Sequence, residues 1–330
     1  MQLGFARIKL LPTLRLIGVV AVSLLLGWLV VRGVSWSEVA DLIYDFPLWR
    51  LILAFLAFTL SILLRAWRFH VLFVSERITF TRIFLVQNAG IGLNNISPIR
   101  LLSEPVQLVL LTRRSGITGG MALATLVTEH LMDITVTATL LILGIMFMPE
   151  LRGFTIQLIV ATILGFVSVL LFVAIVRGME SFPIVKKIPM IGMAISSVRT
   201  LRRSPFRLFL SLLGTFGHWI TLGLCGWIIA SGFGIDVGIA VVVVLFLGSL
   251  FFVSAIPSLP GGAITFEAAV VYSLSLFGIH SEPALAFALL IHIIIFTPST
   301  IIALLVLPRE GIKLFKRAES FSIKRDGPFN

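Results

Sequence analysis

The chain carries little charge. Of 330 residues only 12% are Asp, Glu, Lys or Arg, 58% are apolar, and the mean hydropathy is +1.10. Soluble domains carry about a quarter charged residues. So little charge cannot cover a water-facing surface, which excludes a soluble enzyme, a nucleic-acid module and a disordered chain. Cysteine is nearly absent. Cys225 alone permits no disulfide framework or cysteine-rich metal site, and its apolar setting reads as a small buried hydrophobe. A long polar segment is missing too, so no soluble catalytic domain is expected. The longest polar break, Arg177–Pro205, reads as a basic linker. No His-Glu-x-x-His spacing, phosphate-cradling loop or nucleophile–base pair occurs, so neither a metal, a cofactor nor an enzymatic activity is expected.

What fills the chain is long apolar runs. A membrane span takes roughly 20 helical residues. The runs are Leu14–Val34, Leu51–Val74, Thr118–Met148, Phe154–Val176, Phe206–Ser231, Val237–Ile256, Ala263–Phe277 and Ala284–Leu307. They predict an all-α, polytopic membrane protein of about eight transmembrane helices. The first run is too long for a cleaved signal peptide and lacks a small-residue cleavage site. One membrane-embedded domain is expected over residues 1–330, with a core at about 10–308, a basic cytoplasmic linker at 177–205 and a basic cytoplasmic tail at 309–330.

Charge placement orients the runs. With the N-terminus inside, 23 of 26 basic residues fall in inner segments, and only Arg32, Arg50 and Arg152 fall outside. Such a bias predicts a multi-pass protein of the cell membrane with both termini cytoplasmic. It also accounts for the net charge of +11: the basic face meets anionic inner-leaflet lipids, with no role for nucleic acid.

Two segments break the pattern. The first comprises apolar arms Arg82–Gly92 and Leu101–Leu111 around Asn94-Asn95-Ile96-Ser97-Pro98. It begins and ends on the inner side, so a re-entrant or interfacial broken helix pair is expected over 82–111. The second is Ile256-Pro257-Ser258-Leu259-Pro260-Gly261-Gly262, a Pro–Gly break at 257–262. Proline blocks helix continuation and glycine permits a left-handed turn. Irregular backbone at membrane depth must be buried in protein or line a wet cavity, and paired broken segments point to a transporter's binding site.

Four acids fall within or beside apolar helices: Glu104, Glu129, Asp133 and Glu267. Each costs about 2.5–3.5 kcal/mol at the bilayer centre on insertion scales, so each needs an interior partner. Glu129 and Asp133, spaced i, i+4, share a helix face with Thr125 and Thr137. Glu267 follows Pro260-Gly261-Gly262 and has two readings: a carboxylate satisfied at a helix start, or a neighbour to a helix end that holds a ligand phosphate. Arg65 and Arg68 read either as arginines snorkelling to headgroups or as a fork for a lipid phosphate. Arg100, in the first break, reads as a functional cation. His130, His218 and His292 read as hydrogen-bonded packing residues, with proton coupling through His130 or His292 as the alternative.

In chain order, these residues carry a family resemblance. Arg65-Ala66-Trp67-Arg68 comes first, then Asn94-Asn95-Ile96-Ser97-Pro98-Ile99-Arg100 with Glu104-Pro105. Thr128-Glu129-His130-Leu131-Met132-Asp133 follows, then Pro257-Ser258-Leu259-Pro260-Gly261-Gly262 with Glu267. Together they resemble the transmembrane domain of the lysylphosphatidylglycerol synthase family, also called the flippase-like domain, over about residues 10–308. In bifunctional members this domain moves an aminoacylated lipid that a separate soluble domain makes, and some archaeal stand-alone members are associated with polyprenyl-phosphate sugars. The chain departs from the family pattern at Ser103 (glycine), Gln107, His130 and His292 (arginines). This implies a less cationic cavity, or one charged only when a histidine protonates. Without a synthetase domain, lysine transfer does not carry over.

The combined expectation is a translocase for a lipid or lipid-linked headgroup. Its cavity residues would be Arg65, Arg68, Asn95, Pro98, Arg100, Glu104, Glu129, Asp133, Pro260, Gly261, Gly262 and Glu267, with His130 and His292 as proton-coupling candidates. The expected partners are a membrane phospholipid or polyprenyl-phosphate-linked lipid, and a second copy of the chain or a separate lipid-synthesising enzyme. A membrane-embedded lipid-modifying transferase or hydrolase, and a proton-coupled transporter of a small solute, are the alternatives.

Overall fold

A computed structural model of the chain describes residues 18–74, 76–97, 102–114, 116–147, 198–201, 203–255 and 259–311, with isolated positions between 159 and 170. Pro98, Arg100 and Pro257, nearly all of the run Phe154–Val176, most of the linker and the tail beyond 311 lie outside these residues. Every regular element among the described residues is a helix. In chain order they are α1 (Gly18–Val31), α2 (Trp36–Tyr44), α3 (Leu48–Val71), α4 (Phe80–Ile96), α5 (Ser103–Arg114), α6 (Gly119–Phe147), α7 (Pro205–Gly232), α8 (Ile239–Ala255), α9 (Thr265–Ser275) and α10 (Ser281–Arg309).

Among the described residues, four helices are long and apolar enough to cross a membrane: α3, the stretch Gly119–Gly144 of α6, α7 and α10. At about 1.5 Å per residue, the 24 residues of α3 exceed the hydrocarbon thickness. In α10 most of the apolar stretch is not buried in the protein. Apolar side chains that face outward this consistently need lipid as solvent. On α3, Ile52, Phe55, Leu56 and Leu60 are all exposed. The chain is therefore a multi-pass membrane protein.

The other runs within the described residues are shorter or bent. Leu14–Val34 becomes α1, which meets α2 at 81°. Ala263–Phe277 holds only the 11-residue α9, about 16 Å long and too short to cross alone. The arms of the first break are Phe80–Ile96 and Ser103–Arg114, each longer at its outer end than the sequence suggested. Local chemistry sets these ends. Thr79 caps α4 by accepting from the Arg82 N–H. The Asn94 side chain reaches back across the break, where its Oδ1 accepts from the N–H groups of Leu102 and Ser103 at 3.2 and 3.1 Å, capping α5.

Packing concentrates on two helix pairs, α3 with α7 and α4 with α10. Between α4 and α10 the backbones nearly touch: a Cβ on Gly92 would sit 1.9 Å from the Ser299 carbonyl oxygen. One apolar core joins α3, α7, α8, α9 and α10 around Phe246, Phe266 and Phe287. A second joins α3, α4, α5 and α6 around Phe69, Ile83 and Leu110. The polar residues considered next lie between these helices.

Candidate functional site

Arg68 is central to the site. It projects from α3, is 2% exposed, and meets acids from α6. Nη1 and Nη2 donate to the two oxygens of Asp133 at 2.6 and 2.7 Å. Nη2 also donates to Glu129 Oε1 at 3.0 Å, and Nη1 to Thr215 Oγ1 of α7 at 2.9 Å. Gln87 of α4 completes the cluster, its Nε2 donating to Glu129 Oε1 at 2.7 Å. Three helices thus meet at one guanidinium, and α4 joins them through Glu129. The i, i+4 spacing of Glu129 and Asp133 does place both on one face, as the sequence suggested. Arg68, in contrast, neither snorkels to a headgroup nor stands as a free phosphate fork, because carboxylates and a hydroxyl occupy both of its terminal nitrogens.

Arg65, one turn earlier, differs. Its Nη2 donates to Asn88 Oδ1 at 2.9 Å, Nε has no partner, and it forms no ion pair among the described residues. Ser299 of α10 donates to the same Asn88 oxygen at 2.9 Å.

A cavity of about 150 Å³ opens beside the cluster, lined by Gln87, Ile91, Ser103, Glu104, Gln107, Glu129, His130 and Asp133. Its walls are α4, α5 and α6, so the first broken segment supplies five of the eight lining residues. His130 faces Glu104 across it at 3.4 Å, while its Nδ1 donates to the Leu126 carbonyl. Three of the four intramembrane acids therefore meet at one cavity.

Glu267 does not line that cavity. It pairs with His292 of α10, whose Nδ1 donates to Oε1 at 2.5 Å. The imidazole packs against the rings of Phe266 and Phe296, which also touch each other. Glu267 Oε1 is thus paired with a side chain on a neighbouring helix, while Oε2 is buried without a partner. The second break runs alongside. Pro260–Gly262 is a short 3-10 turn with φ of +70° at Gly261 and +78° at Gly262, a conformation that favours glycine. Ile264 also has φ +70°, a strained setting for a β-branched residue. Asn95 of α4 donates to the Phe296 carbonyl and to Thr300, tying the end of α4 to α10 near this turn. The expected residues thus form two polar groups, one around the cavity and one around Glu267–His292.

Sequence reasoning passed over Gln87 and Thr215. A glutamine inside an apolar arm, next to Asn88, was the available signal for the first; Thr215 gave none, because its role depends on how α7 packs. His218 is the packing residue expected, with Nδ1 donating to the Ser61 carbonyl. Among the described residues, no three of His, Cys, Asp and Glu form a metal site.

The described helices thus define a polytopic helical membrane protein with a buried charge cluster beside a cavity in a broken helix pair. The family model of the lysylphosphatidylglycerol synthase TM region matches residues 16–303, and the chain belongs to that family. No curated protein matches it.

Proposed function

We propose that the chain is a lipid-headgroup translocator of the cell membrane. The supporting observation is the cavity between α4, α5 and α6, where Glu104, Glu129 and Asp133 gather beside broken backbone. Moving a headgroup through hydrocarbon requires fixed polar groups at membrane depth, open sideways so that the tails remain in lipid. On this reading the protein carries a lipid and does not modify it. Both termini are cytoplasmic, and the basic segments lie on the anionic inner leaflet. The lipid phosphate meets Arg65, whose Nε has no partner, and Arg100. A second copy of the chain, or the enzyme that makes the lipid, is the expected protein partner.

The test is reconstitution into vesicles containing an acyl-labelled fluorescent phospholipid, followed by quenching with dithionite from outside. Vesicles with the protein should lose the fluorescence of both leaflets. Glu104→Gln, at the rim of the cavity, should slow that loss several-fold while the protein still inserts. Equal quenching in empty and protein-containing vesicles would overturn the reading. A second reading, transport of a small solute, draws on the modest volume of the cavity, and proton-driven solute uptake without lipid movement would favour it.

A further inference from the structure

The helix α2 is bent 81° from α1 and lies across one end of the bundle. The N–H of Ser35, its N-cap, donates to Glu282 in the first turn of α10 at 3.4 Å. Phe46, just past its other end, packs on Phe233 at the end of α7, with ring centroids 4.7 Å apart. The side chains of α2 divide into three stripes. Val39 is buried, and Leu42 packs against the same core. Trp36, Ala40, Ile43 and Tyr44, spaced i, i+4, i+7 and i+8, share a second face and are all exposed, Trp36 by 56% and Tyr44 by 89%. Glu38, Asp41 and the capping Asp45, spaced i, i+3 and i+7, form the third, on the far flank, and are exposed as well.

An arginine stacked on a tryptophan stands at each end of this helix. Arg32, before it, lies with Cζ 5.0 Å from the centroid of the Trp28 ring, and Arg50, after it, lies 5.0 Å from that of Trp49. A guanidinium lying over a ring still offers the N–H groups along its edge, and these suit a phosphate. Arg32 is exposed and makes no hydrogen bond or ion pair among the described residues. Arg50 is steadied by one hydrogen bond, from Nη1 to Ser231 Oγ at 2.8 Å. Trp28 and Trp49 are themselves exposed, and they continue the lipid-facing sides of α1 and α3 through Leu24, Leu25 and Ile52. An aromatic stripe flanked by arginines, with its acids turned the other way, suits the boundary between hydrocarbon and headgroups. Trp and Tyr concentrate at that boundary, phosphates lie there for the arginines, and the acids reach water. A soluble protein seated on the stripe would have to meet tryptophans that adjoin lipid.

We propose that α2 is a docking surface for the phospholipid headgroup layer at this end of the bundle. Trp36 and Tyr44 lie at the hydrocarbon boundary, and Arg32 and Arg50, held over Trp28 and Trp49, bind lipid phosphates. The leaflet is the one away from the Arg82–Glu310 pair, which lies at the opposite end of α10. The surface shares no residue with the cavity beside Arg68 and requires no lipid movement.

The test has two arms, both on the full chain. In phosphatidylcholine vesicles a nitroxide is attached to Ala40→Cys, in the stripe, or to Asp41→Cys, on the acidic flank. Cys225 is fully buried, and the unsubstituted chain is the labelling control. Oxygen partitions into lipid and a nickel chelate stays in water, so the ratio of their relaxation effects reads the surroundings of each label. The ratio should be several-fold higher at position 40 than at 41. Equal ratios would overturn the proposal, and so would spin–spin broadening between position-40 labels, which would place a second copy of the chain on the stripe. The second arm compares thermal unfolding of wild type and the double variant Arg32→Gln, Arg50→Gln in phosphatidylcholine bicelles and in maltoside micelles, which contain no phosphate. Contacts within the protein are lost in both media, so only the difference between media reports phosphate binding to the folded state. The midpoint should fall by about 2–4 °C more in bicelles than in maltoside. An equal fall in the two media would overturn the proposal. Neither readout depends on lipid movement, so failure here leaves the translocator reading standing, and a protein that moves no lipid can still pass both arms.

Discussion

Arg68 grips both carboxylate oxygens of Asp133 at 2.6 and 2.7 Å, a bidentate fork linking α3 to α6 across the centre of the protein. Such pairs are geometrically specific as well as strong. Because Glu129 shares the guanidinium, one buried cation holds two anions, Glu129 buried and Asp133 half-buried. Removing one partner from a buried ion pair leaves uncompensated charge, at a cost of about 3–5 kcal/mol. Arg68→Met should therefore destabilise the protein by that amount in detergent unfolding. Arg68→Lys should fall between wild type and Arg68→Met, because an ammonium keeps the charge without the fork. The triple change Arg68→Met, Glu129→Leu, Asp133→Leu should be milder than Arg68→Met alone, since no orphaned carboxylate remains. A triple variant as unstable as the sum of its parts would count against this account.

A second expectation concerns sterics. A Cβ on Gly92 would fall 1.9 Å from the Ser299 carbonyl oxygen, and a backbone atom in a helix cannot rotate aside. Gly92→Ala must push α4 away from α10, at a cost of about 1–3 kcal/mol or more. It should also disturb Asn88, which Ser299 holds. Gly217→Ala is the control. There the nearest atom is the end of the Leu64 side chain at 3.3 Å, which can shift, so the unfolding midpoint should stay close to that of wild type. Similar losses in the two variants would show that the tight approach of α4 and α10 is not what matters.

Much of this was legible in the sequence, and the boundary is instructive. The run Leu51–Val74 is the helix Leu48–Val71, and Ala284–Leu307 lies within Ser281–Arg309, because apolar length and flanking charge are local properties. The i, i+4 pairing of Glu129 with Asp133 was legible for the same reason. Which cation would answer them was not. Arg68 lies 61 and 65 positions away from the two acids, and only the packing of α3 on α6 brings them together. The split of the four acids into two groups depends likewise on α4 passing between α5 and α10, which no spacing encodes. Ala263–Phe277 read as a crossing because its composition is apolar, but the backbone at Gly262 to Ile264 consumes residues that a span would need.

The Glu267–His292 pair supports a third prediction. Glu267 Oε2 is buried without a partner, so His292 supplies the one hydrogen bond that this carboxylate is given. His292→Leu should leave the carboxylate unsatisfied and cost about 1–3 kcal/mol. His292→Arg should retain the pairing and approach wild-type stability, because a guanidinium also donates to a carboxylate. Glu267→Leu combined with His292→Leu should recover much of the loss. A double-mutant cycle on these two positions measures their coupling directly. A coupling energy near zero would mean that the pair does not hold α9 against α10.

The last prediction concerns the far end of the broken helix pair. Arg82, in the first turn of α4, forms a 2.6 Å ion pair with Glu310 at the end of α10 and donates to the Leu110 carbonyl of α5 at 2.7 Å. One side chain thus ties both arms of the first break to α10, well away from the cavity. With Arg82→Gln the ion pair is lost and α5 is held less firmly, because its carbonyl loses a charged donor. Amide exchange along α5 should then quicken about tenfold, the factor that corresponds to roughly 1.4 kcal/mol of local opening. Exchange in α7 should remain unchanged. Equal quickening in both helices would indicate global destabilisation, and no change in α5 would mean that its anchoring lies elsewhere. If the change is confined to α5, the variant separates mobility of the cavity wall from the charge of its lining. Faster lipid movement in Arg82→Gln vesicles would then identify opening of this wall as the slow step.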